Sequence, residues 1–424
     1  MIKETKRCRI CGNSELVTII DLGMQNLTGV FPRSIDEIIT QGPLELVRCK
    51  VDDEETCCGL VQLRHSYDCN EMYGSNYGYR SGLNNSMVSH LKDVVEKSLM
   101  FTSLGPEDLV IDIGSNDGTL LGFYPKCGAI LMGIDPTAEK FRKYYSDDVK
   151  ILVDFFSAQG VRHLYGNKRA RIITSIAMFY DLEDPMTFVN QISEILDEDG
   201  IWVLEQSYLP FMLQRNAYDT ICHEHIEYYS LKQIKWLLDR TGLKIIDIEF
   251  NGINGGSFKL TVAKAGARLS ECTRAVRDVL DREKEMGLDT AKPYSAFRKM
   301  VVDHRKRLQA LLKNLKSQGK KVIGYGASTK GNVILQYCGI TRELLPCIAD
   351  VNQDKFGAFT PGTLIPIISE QEAKATQPDY FLVFPWHFRD NFLERERGYL
   401  KEGGKLIMPL PEIEIIGYSE PIGL

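Results

Sequence analysis

Two groups of residues in this 424-residue sequence have the types and spacing of working chemistry. The first is Tyr218-Asp-Thr-Ile-Cys-His-Glu-His-Ile-Glu-Tyr-Tyr-Ser230, which gathers two of the chain's 7 histidines with three carboxylates and three tyrosines. A histidine beside a carboxylate can be fixed in one tautomer with a basic nitrogen ready near neutral pH. That suits removal of a proton from carbon next to a carbonyl. His223 and His225 with Glu224 and Glu227 can instead ligate a metal, although no third ligand motif accompanies them. A plainer use is capping of the helix expected to begin near Ser230. The second group is thiols: of 11 cysteines, Cys8, Cys11, Cys49, Cys57 and Cys58 all fall early in the chain. A long chain without a signal-peptide pattern points away from disulfides and toward reduced thiols holding Zn²⁺, with unliganded buried thiols as the alternative. Cys8-Arg-Ile-Cys11 forms one knuckle. The second is irregular, and either Cys57 or Cys58 can be its fourth ligand. Cys58 is favoured, because Cys58-Gly59 repeats Cys11-Gly12, where a tight turn brings backbone N–H groups to the sulfur. Four thiolates leave no position for water, so this zinc would be structural.

Those groups need elements to hold them. Val110-Ile-Asp-Ile-Gly-Ser-Asn-Asp-Gly-Thr119 reads as an apolar strand that breaks into Gly, Ser and Asn before a helix. The glycines permit a tight turn with N–H groups close to a ligand, while Asp112 and Asp117 offer acceptors, so the expected ligand is neutral or cationic. The following strand, Ala129-Ile-Leu-Met-Gly-Ile-Asp135, ends in an acid able to accept both ribose hydroxyls of a nucleoside. Together the two pieces resemble motif I and the ribose acid of a class I S-adenosylmethionine-dependent methyltransferase. The resemblance implies S-adenosylmethionine held by Asp112, Gly114, Asn116, Asp117 and Asp135. Strand and helix patterns alternate from Leu109 onward, as a doubly wound parallel sheet requires, with helices expected over 86–99 and 187–196. Ligands bind such sheets at the C-terminal strand edge. That edge collects Asp154 and Phe155, suited to an adenine by hydrogen bond and stacking. The stretches 244–250 and 256–263 read as a closing antiparallel pair.

The length predicts two or three domains, drawn at 1–68, 69–266 and 267–424. A net charge of −6 speaks against general nucleic-acid binding, yet allows a local basic pocket. No apolar run spans a bilayer and the first residues lack an apolar core, so a cytoplasmic protein is expected. Nothing in the sequence sets an oligomeric state, and a monomer is compatible with it. Between residues 67 and 82 four tyrosines and three glycines suit a lid or substrate-contacting loop, or equally a packed connector. The last third opens with charged helical patterns over 271–285 and 294–317. Lys320-Lys-Val-Ile-Gly-Tyr-Gly-Ala-Ser-Thr-Lys-Gly-Asn332 then repeats the order strand, glycine turn, helix start, with Asp350 ending the next strand. Its G-x-G-x₄-G spacing fits a dinucleotide fingerprint poorly. Ser328, Thr329 and Lys330 at a helix start suit a diphosphate better, with a purely structural loop as the alternative.

Taken in order, Cys8/Cys11/Cys49/Cys58-Gly-Leu-Val-Gln-Leu, Ile111-Asp-Ile-Gly-Ser-Asn-Asp-Gly and His223-Glu-His225 followed by Tyr228-Tyr-Ser230 resemble the sugar-nucleotide C-methyltransferases that make branched deoxysugars. The resemblance spans essentially the whole chain. It implies an α/β protein with an N-terminal zinc-binding domain, a central doubly wound class I methyltransferase domain and a C-terminal Rossmann-like domain that helps hold the sugar nucleotide. The implied substrate is a nucleoside-diphosphate 4-keto-6-deoxyhexose, methylated at carbon 3 or, in some members, carbon 5. His225 takes the base role, with Glu224 orienting or tuning it. Tyr77 and Tyr79 fall in the substrate-facing tyrosine segment, and Cys222, His223, Ser328, Thr329, Lys330 and Asn332 are further expected substrate contacts. Cys222 stands where some members carry a tyrosine, and Phe179-Tyr180 replaces a histidine-bearing segment of others. Competing readings are an oxygen or nitrogen methyltransferase and, on the last domain, a nicotinamide-dependent dehydrogenase.

Overall fold

The structure is a computed structural model that describes residues 2–73 and 79–418. Its architecture follows from three sheets. In the first, the antiparallel strands Leu16–Asn26, Gln41–Cys49 and Val61–Leu63 are completed at one edge by Glu227–Tyr228, which arrives from the middle of the chain. Residues 227–228, expected within the central domain, thus belong to the N-terminal sheet.

The central sheet has seven strands. Leu109–Ile113, Ile130–Ile134, Val149–Leu152, Ala170–Ile176 and Leu196–Ser207 run parallel, and Leu243–Asn251 and Ser257–Lys264 form the expected antiparallel closure. The near-continuous burial of Leu109–Ile113 is that of a strand covered on both faces. Helices flank it. Asn85–Phe101, capped by Asn84, buries Met87, Leu91, Val94 and Val95 at helical spacing. Pro185–Ile195 starts with Asp184 accepting from the Thr187 amide and a proline in its first turn, both ordinary helix starters. The strand order reverses beside Leu109–Ile113, where Ile130–Ile134 lies on one side and Ala170–Ile176 on the other, which opens a crevice at the C-terminal strand ends.

The third sheet repeats that plan. Five parallel strands, Ile367–Ser369, Ile348–Asp350, Val322–Tyr325, Tyr380–Val383 and Lys405–Met408, are joined by antiparallel Glu414–Ile416. Helix Lys292–Ser317 leads into it, burying Phe297, Val301, Leu308, Leu312 and Leu315 along one stripe. Leu44 and Leu46 of the first sheet, Phe297 and Val301 of this helix and Ile323 of the third sheet share one hydrophobic core. The thiol knuckles, through Cys8, Cys49 and Cys58, pack into the core of the central sheet. No helix among the described residues is long and apolar enough to cross a membrane.

Candidate active site

The crevice of the central sheet is the wall of a cavity of about 450 Å³. Strand Leu109–Ile113 delivers Gly114 at φ 75° and Asn116 at φ 50°, the sharp reversal that needs glycine and tolerates asparagine. Asp135, just past Ile130–Ile134, braces this turn: Oδ2 accepts from the Asn116 amide at 2.8 Å and Oδ1 from the Thr137 amide at 2.6 Å. Asp112 accepts from Thr174 Oγ1 at 2.6 Å, and burial pushes its carboxyl up to about 7. Asp112, Gly114, Asn116, Asp135, Asp154 and Phe155 all line the cavity. Asp117 does not. It accepts from the Gly82 amide at 2.9 Å, and Asn116 Oδ1 accepts from the Ser81 amide at 2.9 Å, so together they hold the 79–82 segment over the turn. Tyr79 lines the cavity there, whereas Tyr77 lies outside the described residues.

The His-Glu-His segment enters from another side. It turns sharply, with the His225 amide donating to the Cys222 carbonyl at 3.1 Å, so its side chains do not alternate as in a strand. Glu224 and His225 face the cavity. His225 Nδ1 lies 3.2 Å from the Thr220 carbonyl, which can only accept, so Nδ1 carries the hydrogen and Nε2 keeps its lone pair. Burial, reinforced by the Lys330 ammonium, pushes His225 down to about 3. The Tyr180 ring lies 4.2 Å from the His225 ring. The residue that orients His225 is thus Thr220, through its backbone, and not Glu224 as expected. Glu224 packs against Gly29 of the N-terminal domain, and burial pushes its carboxyl up to about 7.

His223 and Cys222 are off the cavity wall. His223 is 1% exposed, takes the Thr28 amide on Nδ1 at 3.3 Å and meets Tyr67 edge-on at 4.6 Å, so it joins domains instead of touching a ligand. Asn332 is also displaced from its expected role: its Nδ2 donates to the Thr28 carbonyl at 2.7 Å. Ser328, Thr329 and Lys330 do line the cavity, at the start of helix Thr329–Tyr337. Lys330 donates to the Asn254 carbonyl at 2.8 Å, which brings its charge to the central domain's crevice. Helix Leu231–Arg240 is capped by Ser230 with Gln233, not by the histidines.

The one set of three or more metal-ligand side chains that converges among the described residues is Cys8, Cys11, Cys49 and Cys58, whose sulfurs all lie within 4.8 Å of one another. The pairs Cys8/Cys58 and Cys11/Cys49 stand 3.4 and 3.6 Å apart. Tetrahedral thiolates on zinc, at about 2.3 Å from the metal, would be about 3.8 Å apart, so the four fit the ion. Gly12 and Gly59 share φ 74°, and the Gly59 amide reaches the Cys49 sulfur. Cys57 points elsewhere, its sulfur taking the Asn13 amide at 3.4 Å.

Among solved structures, magnesium protoporphyrin IX methyltransferase (ChlM) from Synechocystis PCC 6803 with bound SAM is 15% identical and covers 42% of this chain and 79% of its own, at a TM-score of 0.32. The plantazolicin methyltransferase BpumL, in complex with a triazolic desmethylPZN analog and SAH, is 13% identical and covers 43% of this chain and 87% of its own, at a TM-score of 0.35. Three family models match successive parts of the sequence: a zinc binding domain over 8–73, a methyltransferase domain over 87–248 and a C-methyltransferase C-terminal domain over 252–411. The C-methyltransferase NovU from Streptomyces niveus is 29% identical over 419 residues, which covers 98% of each chain. Taken together along nearly the whole chain, these matches support an S-adenosylmethionine-dependent C-methyltransferase.

In this C-methyltransferase the cavity also takes in Asp181 and Lys355, which residue types and spacing did not single out, together with Tyr73 of the tyrosine-rich 67–82 stretch and His387. Glu205, at the end of Leu196–Ser207, holds His90 Nε2 at 2.6 Å and takes the Asn251 amide at 2.7 Å. A signal for Asp181 was present, since it sits just past strand Ala170–Ile176 at the switch point. The Thr220 carbonyl had none, because a backbone acceptor leaves no mark in residue types.

Proposed function

We propose that this C-methyltransferase transfers the methyl group of S-adenosylmethionine to carbon 3 of a nucleoside-diphosphate 4-keto-6-deoxyhexose by way of an enolate. The observation that carries the reading is His225, with Nδ1 tied to the Thr220 carbonyl, Nε2 open and the ring on the same cavity as Gly114, Asn116 and Asp135. Bound at that turn, S-adenosylmethionine supplies an electrophilic methyl group. His225 Nε2 takes the hydrogen from the carbon beside the ketone, and the electrons of that C–H bond pass toward the ketone oxygen. The nucleophilic carbon then forms the new C–C bond to the methyl group while the S–C bond breaks, its electron pair staying on the sulfur of the departing S-adenosylhomocysteine, and the carbonyl returns. Burial keeps His225 neutral with Nε2 free to accept but weakens it as a base, and the negative charge growing on the enolate beside it offsets that loss by stabilising the imidazolium as it forms. In this reading Asp135 receives ribose hydroxyls and Ser328 and Thr329 donate to a diphosphate, supported by their positions on the cavity wall and at the start of helix Thr329–Tyr337. The sugar nucleotide and carbon 3 are supported by the resemblance to branched-deoxysugar enzymes, and carbon chemistry by the likeness to NovU.

The test is product analysis. Enzyme is incubated with methyl-labelled S-adenosylmethionine and a panel of nucleoside-diphosphate 4-keto-6-deoxyhexoses, and NMR locates the label. Label on carbon 3 is expected. Label on oxygen or nitrogen, or no product from any keto sugar, would remove the reading, and label on carbon 5 would shift it to the other side of the ketone.

A further inference from the structure

Asp181 closes the short turn Phe179–Asp181 that follows strand Ala170–Ile176. Its Oδ2 accepts the Tyr73 hydroxyl at 3.0 Å, while Oδ1 is shielded from solvent and has no hydrogen-bond partner among the described residues. Both side chains line the cavity that Glu224 and His225 face. A shielded carboxylate oxygen without a partner is unfavourable, and such an atom on a cavity wall calls for a ligand group to meet it. Burial raises the Asp181 carboxyl above the ordinary carboxylate range, and its shielded Oδ1 meets no donor among the described residues, both of which favour the protonated form. With Oδ2 occupied as an acceptor by Tyr73, the acid's hydrogen belongs on Oδ1.

Resting on the enolate reading above, we propose that Asp181 donates a hydrogen bond from Oδ1 to the ketone oxygen of the substrate and stabilises that oxygen as it becomes an enolate. When His225 Nε2 gains the carbon-bound proton, the C–H electron pair becomes the C=C bond and the C=O π pair moves to oxygen. Asp181 keeps its proton throughout and shares it more strongly as the oxygen gains charge. Tyr73 positions the acid by anchoring Oδ2. A buried neutral carboxylic acid is a strong donor in a site that excludes water, because it is aimed before the charge develops.

The experiment is exchange of the carbon-bound hydrogen with solvent deuterium, followed by NMR, with S-adenosylhomocysteine in the donor site and saturating members of the same keto-sugar panel. Asp181→Ala is expected to slow exchange by about 10²–10³-fold, the usual loss for one oxyanion donor, with a much smaller change in KM and unchanged S-adenosylhomocysteine binding by calorimetry. Asp181→Asn keeps a carbonyl for Tyr73 and an N–H for the substrate, so it is expected to recover at least about tenfold of that loss. If Asp181→Ala exchanges as fast as wild type at saturation, or raises only KM, the donor role is overturned while the enolate reading stands. An Asp181→Asn variant that binds S-adenosylhomocysteine normally but exchanges no faster than Asp181→Ala would equally overturn it, since ionised carboxylate would then be what matters. Wild-type enzyme that exchanges no carbon-bound hydrogen in any panel member would overturn the enolate reading and the role of Asp181 with it.

Discussion

A histidine tied at Nδ1 to a backbone carbonyl has one nitrogen left to accept a proton, and the Thr220 carbonyl leaves His225 in that state. His225→Ala should therefore lose solvent exchange and methylation together, by roughly 10²–10⁴-fold for a general base. Calorimetry should find both ligands still bound, and exchange that survives in the variant would move the base elsewhere. Asp135 lies in the same cavity, beside the Gly114–Asn116 turn. Asp135→Ala should weaken S-adenosylmethionine binding by about 1.5–3 kcal/mol, as loss of charged-group hydrogen bonds does, and leave the sugar nucleotide almost unaffected. The reverse pattern would place the donor outside the central domain. Glu224 gives a pH test. Burial raises its carboxyl from 4.5 to about 7, so between those values the folded protein binds more protons than the unfolded chain. Its contribution to stability is thus present at low pH and lost as pH rises through about 7. Glu224→Gln lacks this term and should gain stability relative to wild type as pH rises from about 4.5 to about 7, by at most ~1.4 kcal/mol per unit. Parallel denaturant melts at several pH values measure the difference, and a constant offset would show that Glu224 does not titrate there.

At the scale of elements, the thiol knuckles do more than close a loop. Cys58 offers its carbonyl to Gln233 of helix Leu231–Arg240 at 2.8 Å, and three residues on, Val61–Leu63 pairs with Glu227–Tyr228 directly after His225. A metal that fixes the second knuckle therefore also fixes one edge of the segment that carries His225. Elemental analysis should find one zinc per chain in protein purified without added metal. Cys57→Ser should retain it, because its sulfur lies outside the cluster, and Cys58→Ser should lose it. The opposite pair of results would exchange the two ligands. Repetition of the doubly wound plan in the third sheet has a counterpart in detail. Asp350 Oδ2 accepts from the Ala327 amide at 2.8 Å and Oδ1 from the Asn352 amide at 2.7 Å, the same bracing that Asp135 gives its own turn. Both acids end the strand beside the first strand of their sheet, because that is where a turn's exposed N–H groups need an acceptor.

Across the whole molecule, all three domains converge on one cavity, and Gly29 shows how closely. A Cβ at this N-terminal position would collide with the Glu224 carboxylate of the central domain and approach Thr329 Oγ1 of the C-terminal domain to 3.4 Å. Gly29→Ala should consequently destabilise the protein by about 1–3 kcal/mol, the usual range for overpacking, and slow turnover by displacing Glu224. Thermal melts and steady-state rates check both, and a variant with wild-type values would mean that Glu224 has space to move. The same junction is stitched by Thr28 to Asn332 and by Asn26 to Gln336, whose Oε1 accepts the Asn26 amide at 2.8 Å.

Much of this was legible in the sequence because it depends on local chemistry. Gly114 with Asp135, paired cysteines ahead of glycines, and alternating strands and helices each impose their structure through backbone conformation, thiolate geometry or burial period, and the chain adopts them where those rules place them. Facing was different. Whether His223 or His225 faces the cavity is set by a turn at Cys222–His225, and whether Asn332 reaches it is set by Thr28, more than 300 residues away in sequence. The orienting carbonyl of Thr220, the unpartnered Oδ1 of Asp181 and the fit of Gly29 against Glu224 arise only when distant segments pack together, since each is a relation between atoms that residue types and spacing do not encode.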